Sequence, residues 1–229
     1  MKYLIFDCGG VLVYPGRGEW NLPYGMAEIL GDRAKDIGTD AYREAYRQSV
    51  HWLDETRLVP DVEAERELRL EYIRSMDARM GWGLTTEETR RLADDFTDNI
   101  LRYGMFEDVA PWLRRWKRRY SLGMLSDAMP SILGFLEQFG ILNLFDAAVI
   151  STQVGAIKPD GRMYAAILKA LDARPGDCLF ADDRASNLEG AVAVGMRAVQ
   201  MARPEFPPDA LWDGPVARSF EALNGLIEA

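Results

Sequence analysis

From residue 104 onward the chain alternates short apolar runs with longer stretches whose apolar residues recur every three or four positions, and no other feature restricts the fold as much. DVAPWLRRWKRRY, PSILGFLEQFG, DGRMYAAILKALDA and ASNLEGAVAVG read as helices, and SLGMLS, AAVIS, DCLFADD and MRAVQM as strands. Pro111 is tolerated in a first helical turn, where the amide it lacks has no partner. Gly140 is placed to close its helix. Strands separated by helices pair in parallel, because each connection is a crossover rather than a hairpin. A parallel sheet is covered on both faces, so its strands are continuously apolar rather than alternating. The opening run, YLIF at residues 3–6, fits the same description.

Between that first strand and the alternating part lies a different rhythm. AEILG, AYREAYRQSVHWL, AERELRLEYIRSM and TEETRRLADDFTDNIL all carry helical spacing. In TTEE, Thr85 or Thr86 is the expected helix cap, with glutamates in the first turn. Nothing from about residue 20 to 103 reads as a strand. The economical arrangement is an α/β domain with a parallel sheet, residues 1–16 and 104–229, interrupted by an all-helical insertion, residues 17–103. The tail RPEFPPDALWDGP reads as surface loop before a last helix, SFEALNGLIE. A chain of 229 residues with 48% apolar content fills a core of this size.

Composition removes several function classes. The net charge of −9 leaves no cationic excess to neutralise phosphates, which argues against a nucleic-acid partner. WLRRWKRRY is a solvated helix face with tryptophans on the other side. No stretch approaches the ~20 apolar residues of a membrane span, and MKYLIFDCGG lacks the pattern of a signal peptide. Cys8 and Cys178 lie in or beside predicted strands and read as reduced buried thiols. Together these features lead to the expectation of a soluble, cytoplasmic protein with no membrane partner. The single histidine, His51, sits in a helical pattern and reads as an ordinary helix residue, with a substrate contact as the alternative.

Open parallel sheets place their sites at the carboxyl ends of strands, so the residues that follow each strand are the informative ones. The first strand ends in Asp7-Cys8-Gly9-Gly10, SLGML in Ser126-Asp127, and DCLFA in Asp182-Asp183 with Asn187 shortly after. AAVIS leads through TQVGAI to Lys158-Pro159. Asp182-Asp183 with Asp7 makes an all-oxygen set suited to Mg²⁺. Lys158 is either an ion-pair partner or a clamp on a phosphate oxygen. The amides of the Cys8-Gly9-Gly10 turn form a possible anion cradle. A carboxylate beside a cation and a phosphate acts as a nucleophile. The set therefore points to metal-assisted phosphoryl transfer through Asp7. Taken singly, each feature has a plainer reading: Ser126 as a turn or cap residue, Lys158 as a solvated loop lysine, Asp182-Asp183 as a helix cap.

FDCGGVL, MLSDA, GAIKPDGRMY and FADDRASNLEGAVAVGM, in that order, resemble the four motifs of the haloacid dehalogenase superfamily. The resemblance covers nearly the whole chain. It implies a Rossmann-like parallel-sheet core with a helical cap of the C1 type at the insertion. It also implies roles: Asp7 as nucleophile and metal ligand, Ser126 as a hydrogen-bond donor to the phosphoryl group, and Lys158 as the charge that offsets Asp7 and phosphate. Asp183 would be the main carboxylate on Mg²⁺, with Asp182 beside it and the Gly9 carbonyl in a further position. Asn187 would orient the fourth motif. Asp127, next to Ser126, reads as a helix N-terminal carboxylate, with a place at the substrate as a replacement for the acid missing at Gly9 as the alternative. The substrate would be a small phosphate ester and the protein a monomer or homodimer.

Gly9 departs from the pattern, since most phosphatases that this chain resembles carry there an aspartate that protonates the leaving oxygen. General acid–base help of that kind contributes ~10²–10⁴-fold. The dehalogenase branch also lacks that acid and is the main alternative. It lacks the adjacent acid pair, however, and uses an arginine after the first motif, for which Arg17 in PGRGE is the nearby candidate. A non-catalytic phosphate-binding or partner module is the third reading. Tyr14, Trp20 and Tyr24 either line an entrance to the site or pack the insertion.

Overall fold

In the computed structural model, which describes residues 1–56, 58–208 and 210–228, the opening apolar run forms strand β1 (Tyr3–Phe6) and its continuation forms β2 (Val13–Pro15). The helices α1 (Met26–Leu30), α2 (Asp40–Thr56), α3 (Val62–Met80) and α4 (Thr86–Asp98) follow, then β3 (Tyr103–Met105). The alternating part comprises α5 (Val109–Trp116), β4 (Ser121–Ser126), α6 (Ile132–Gln138), β5 (Ala147–Ile150), α7 (Ser151–Val154) and α8 (Gly161–Ala170). It continues with β6 (Cys178–Asp182), α9 (Ala185–Ala193), β7 (Arg197–Met201), β8 (Val216–Ala217) and α10 (Phe220–Glu228).

Six strands form one sheet in the order β5-β4-β1-β6-β7-β8, every neighbouring pair parallel. β1 is central: the chain adds β4 and β5 on one side of it, then crosses to add β6, β7 and β8 on the other. Such a reversal opens a crevice at the carboxyl ends of the strands on either side of the switch. Successive side chains of a strand face opposite ways, and β1 shows the result. Ile5 packs in a cluster with Met163, Tyr164 and Ile167 of α8 and Leu188 and Ala191 of α9. Phe6 points to the other face, where it stacks on Trp116 of α5 at 5.6 Å and meets Phe220 of α10 at 5.4 Å. Both faces are covered by helices, as the unbroken apolar strands require.

Two compact units result. One comprises Met1–Tyr14, Gly104–Ala128 and Leu133–Ala229; the other comprises Pro15–Tyr103 and Met129–Ile132. The second is helical, with a core built from Met26, Tyr42, Leu53, Tyr72, Ile73, Met76, Leu92 and Phe96. Thr85 is the cap of α4 and forms a complete capping box with Glu88. The short stretch 129–132 joins the helical unit, although by sequence it lies in the alternating part. The cause is Glu65 of α3, fully buried, whose carboxylate accepts the Ser131 amide at 2.8 Å and the Ser131 hydroxyl at 2.9 Å.

Two further elements depart from the sequence expectation. β2 and β3 pair as a separate two-stranded sheet, so a strand begins at Tyr103, at the end of the stretch read as wholly helical. The tail read as loop contains β8, which extends the sheet through Gln200↔Val216 and Met201↔Ala217. Strands of two or three residues are too short to show any periodicity.

Candidate active site

The residues expected at the strand ends converge within the α/β unit. Phe6 of β1 is in register with Met124 of β4 and Ala181 of β6. One step on, the Asp7 amide donates to the Ala181 carbonyl at 2.8 Å, so Asp7 continues the strand. Asp182 ends β6 and Ser126 ends β4 at this same edge.

Lys158 ties these strand ends together. Its ammonium donates to Asp7 Oδ1 at 2.7 Å, Asp182 Oδ2 at 2.6 Å and the Leu125 carbonyl at 3.1 Å. Burial works against a charged lysine, yet Asp182 and Asp7 outweigh it and hold Lys158 protonated well above its ordinary range. The carboxylate of Asp127 accepts the Lys158 backbone amide at 2.8 Å. Asp127 thus braces the lysine's loop, a use that its place beside Ser126 in the sequence does not reveal. The Ser126 side chain is buried and makes no hydrogen bond among the described residues.

The two adjacent aspartates have different surroundings. Both oxygens of Asp182 accept from the Asn187 side-chain amide, at 3.1 and 3.0 Å, and Oδ1 also accepts the Arg184 backbone amide at 2.8 Å. With Lys158 added, Asp182 is fully engaged. Asn187 is itself fixed, its carbonyl accepting the Tyr164 hydroxyl at 2.7 Å. The Asp183 carboxylate is hydrogen-bonded by its own backbone, and no side chain of another described residue hydrogen-bonds or ion-pairs with it. It stands where one oxygen each of Asp7, Asp182 and Asp183 lie within 4.8 Å of one another. Burial pushes its pKa up to about 8, and the charges of Asp7 and Asp182 add to the effect. Burial raises Asp7 as well, with Lys158 pulling back.

The glycine turn is specific at one position. Gly10 has φ +71°, and a Cβ there would stand 2.7 Å from Asp183 Oδ2 and 3.2 Å from the Phe206 ring. Only glycine combines a left-handed backbone with that approach. Gly9, by contrast, is not among the residues with positive φ. The anion cradle expected from the amides of residues 8–10 is smaller than the sequence implies. The Gly10 amide donates to the Val13 carbonyl at 2.8 Å, closing the turn. Burial and the neighbouring Asp7 push the Cys8 thiol well up, and both cysteines are free and buried.

The remaining residues singled out in the sequence have partners of their own. Arg17 pairs with Glu28 at 2.7 Å and lies over the Tyr24 ring at 4.2 Å. His51 is an exposed helix residue beside Glu55 at 3.6 Å. Tyr14 packs on Phe106, and Trp20 on Tyr103. The contributions of Phe206 and Gln200 near the cluster, and the approach of Gly10 to Asp183, were not anticipated. A glutamine in the otherwise apolar run RAVQM was the available signal for Gln200.

A family model described as haloacid dehalogenase-like hydrolase matches residues 1–195. Among curated proteins, the chain is similar to an enolase-phosphatase E1 of Acidiphilium cryptum, 32% identical over 158 residues, covering 66% of each protein. It is also similar to a phosphoserine phosphatase of Thermus thermophilus, 29% identical over 136 residues, covering 56% of this chain and 55% of that one. These alignments span between about half and two thirds of the relatives' own length. Among solved structures, a phosphatase from Thermococcus onnurineus matches with a TM-score of 0.66 at 19% identity, covering 99% of this chain and 98% of that one. An L-2-haloacid dehalogenase from Xanthobacter autotrophicus matches with a TM-score of 0.68 at 16% identity, covering 100% and 99%. At such identities the structures share the fold, and the site decides between their chemistries.

Proposed function

The chain belongs to the haloacid dehalogenase-like hydrolases, and from that premise we propose that it is a Mg²⁺-dependent phosphatase of a small phosphorylated metabolite, with Asp7 as the nucleophile. The observation that carries the reading is Asp183, a carboxylate that no side chain of another described residue hydrogen-bonds, facing two others with one ammonium between the three. An all-oxygen set with excess negative charge suits a hard divalent cation. The absence of a side chain at Gly10 keeps the approach to Asp183 clear. Asp7, Asp183 and the Gly9 carbonyl would hold the ion, with Asp182 in contact directly or through water. When bound, the cation neutralises charge on the carboxylates and on the phosphoryl oxygens.

The chain's own residues then perform recognisable tasks. Lys158 keeps Asp7 ionised and holds its Oδ1 in place. The free lone pairs of the Asp7 carboxylate attack phosphorus as the ester P–O bond breaks, which gives an aspartyl-phosphate and an alcohol. Ser126, whose hydroxyl is uncommitted among the described residues, donates to a phosphoryl oxygen. Water then attacks phosphorus, releasing inorganic phosphate and regenerating Asp7. Gly9 offers no proton, so the leaving oxygen takes one from water, and good leaving groups are favoured.

The test is phosphate release from p-nitrophenyl phosphate by the wild type and Asp7→Asn, with Mg²⁺ and with chelator. Mg²⁺-dependent release, lost in Asp7→Asn while the fold is kept, is expected. Metal-independent halide release from a chloroacid would replace this reading with the dehalogenase one. Tight phosphate binding without turnover of any ester would replace it with a binding module.

A further inference from the structure

Gln200 lies on β7 in register with Asp182 and is fully buried. Its carboxamide makes three hydrogen bonds. Nε2 donates to the Asp183 carbonyl at 2.9 Å and to the Ala210 carbonyl at 2.7 Å, and Oε1 accepts the Trp212 amide at 3.0 Å. Burying a carboxamide is unfavourable unless it is hydrogen-bonded throughout, so the side chain is explained by what it holds.

The peptide between residues 183 and 184 is a rigid plane. Its carbonyl is held by Gln200 at 2.9 Å, and its N–H, on Arg184, is held by Asp182 Oδ1 at 2.8 Å. The plane is pinned from both sides, and its orientation helps set the direction in which the Asp183 side chain leaves the backbone. The same clamp reaches the tail. From β7 the chain runs to buried Arg203, which donates to the Val11 carbonyl at 3.0 Å and to Asp108 at 2.9 and 2.8 Å. A turn closed by Phe206 N–H on the Arg203 carbonyl at 3.2 Å then brings the Phe206 ring beside Gly10. The tail is therefore anchored at Arg203 and again at residues 210–212.

We propose that Gln200 is a positioning residue for the cation site: by pinning the 183–184 peptide opposite Asp182 it fixes where the Asp183 carboxylate stands, and so sets the affinity of the cluster for a divalent cation. The inference rests on the metal-dependent reading above. Residues that orient metal ligands in this way change affinity by ~10–100-fold when replaced. Gln200→Met keeps the length of the side chain and removes all three hydrogen bonds.

The experiment is calorimetric titration of Mg²⁺ into the substrate-free wild type and into Gln200→Met, with a melting curve of each in chelator. The expected result is a Kd for Mg²⁺ weakened ~10–100-fold, with kcat for p-nitrophenyl phosphate recovering at saturating Mg²⁺. A variant that melts lower yet binds Mg²⁺ within about twofold of the wild type would show a merely structural role and overturn the inference; the ~10-fold lower bound for ligand-orienting residues makes the two outcomes separable. A wild type that takes up no Mg²⁺ would overturn both this inference and the metal-dependent reading. Should Gln200→Met fail to fold, hydrogen exchange at the Trp212 amide of the wild type decides. Coupling is reciprocal, so Mg²⁺ must slow that exchange, and unchanged protection at saturating Mg²⁺ overturns the proposal.

Discussion

Replacing Lys158 by Met removes one ammonium and leaves two carboxylates without their counter-charge. The Lys158 side chain is 1% exposed and gives up bonds of 2.7 Å to Asp7 and 2.6 Å to Asp182. The Asp182 side chain is 0% exposed, so water cannot take over. Breaking a buried ion pair by deleting one partner destabilises by about 3–5 kcal/mol, and here one deletion strands two charges. We therefore expect Lys158→Met to lose at least about 3 kcal/mol at neutral pH in chelator, measured by urea unfolding followed by circular dichroism. The pH dependence follows from the signs. Asp7 is already raised by burial with Lys158 pulling back, so without the ammonium its folded pKa rises further above the unfolded value near 4. A carboxyl raised in this way stabilises the fold below its unfolded pKa and loses that contribution as pH rises through the folded one. The deficit of Lys158→Met should thus be smaller near pH 5 than near pH 8. Removing one of the stranded charges in Lys158→Met/Asp182→Asn should recover part of it, because residues in one network do not act additively. A deficit below about 1 kcal/mol, the range of an exposed pair, independent of pH, would refute the reasoning that this lysine compensates the cluster.

Three further outcomes follow from the same geometry. Gly10→Ala places a methyl 2.7 Å from Asp183 Oδ2 on a backbone with φ +71°; a left-handed residue with a side chain costs about 1–2 kcal/mol, so the melting temperature should fall and Mg²⁺ binding should weaken as Asp183 shifts. Gly9→Asp meets no left-handed backbone and should raise turnover of alkyl phosphates more than of p-nitrophenyl phosphate, compared by kcat/KM, since only the poor leaving group needs a proton. Asp183, raised from 3.8 to about 8, makes the metal-free wild type lose stability as pH rises through that window; Asp183→Asn should flatten this slope in chelator melts and abolish Mg²⁺ binding by calorimetry.

The parts of this architecture that depend on local pattern are visible in the sequence. Parallel strands are continuous apolar runs, so each announces its own end, and Asp7, Ser126 and Asp182 are simply the first polar residues after the run. The helical insertion is likewise local, and TTEE announces its cap at Thr85. What depends on a distant partner is not visible. Nothing near Asp127 in the chain indicates that its carboxylate holds the amide of Lys158. Nothing near Glu65 indicates that Ser131 will draw residues 129–132 into the helical unit. β8 exists because β7 offers an open edge to two residues, too few to carry a period. Gln200 lies between these cases: a carboxamide in an apolar strand signals a structural demand, while its partners, Asp183, Ala210 and Trp212, come from two other stretches of chain.

The different duties of Asp182 and Asp183 follow from where the strand stops. Asp182 is the last residue of β6, so its side chain stays in the sheet's interior, where Lys158, Asn187 and the Arg184 amide surround it. Each of those contacts supplies a donor to a carboxylate that water cannot reach. Asp183 comes one residue later, past the sheet edge, where burial and the charges of Asp7 and Asp182 outweigh Lys158 and the residue's own backbone hydrogen bond. One carboxylate is therefore engaged by donors within the protein, and the other is the one whose charge a cation would offset under the proposed function. Interchanging the pair's roles by substitution at Asp182 would not reproduce Asp183, because Asp182→Asn sets an amide against the Asn187 amide and the Lys158 ammonium. That variant should lower the stability of the metal-free fold, whereas Asp183→Asn should raise it at alkaline pH. Opposite signs from the same chemical change at adjacent positions would locate the demand for a cation at Asp183.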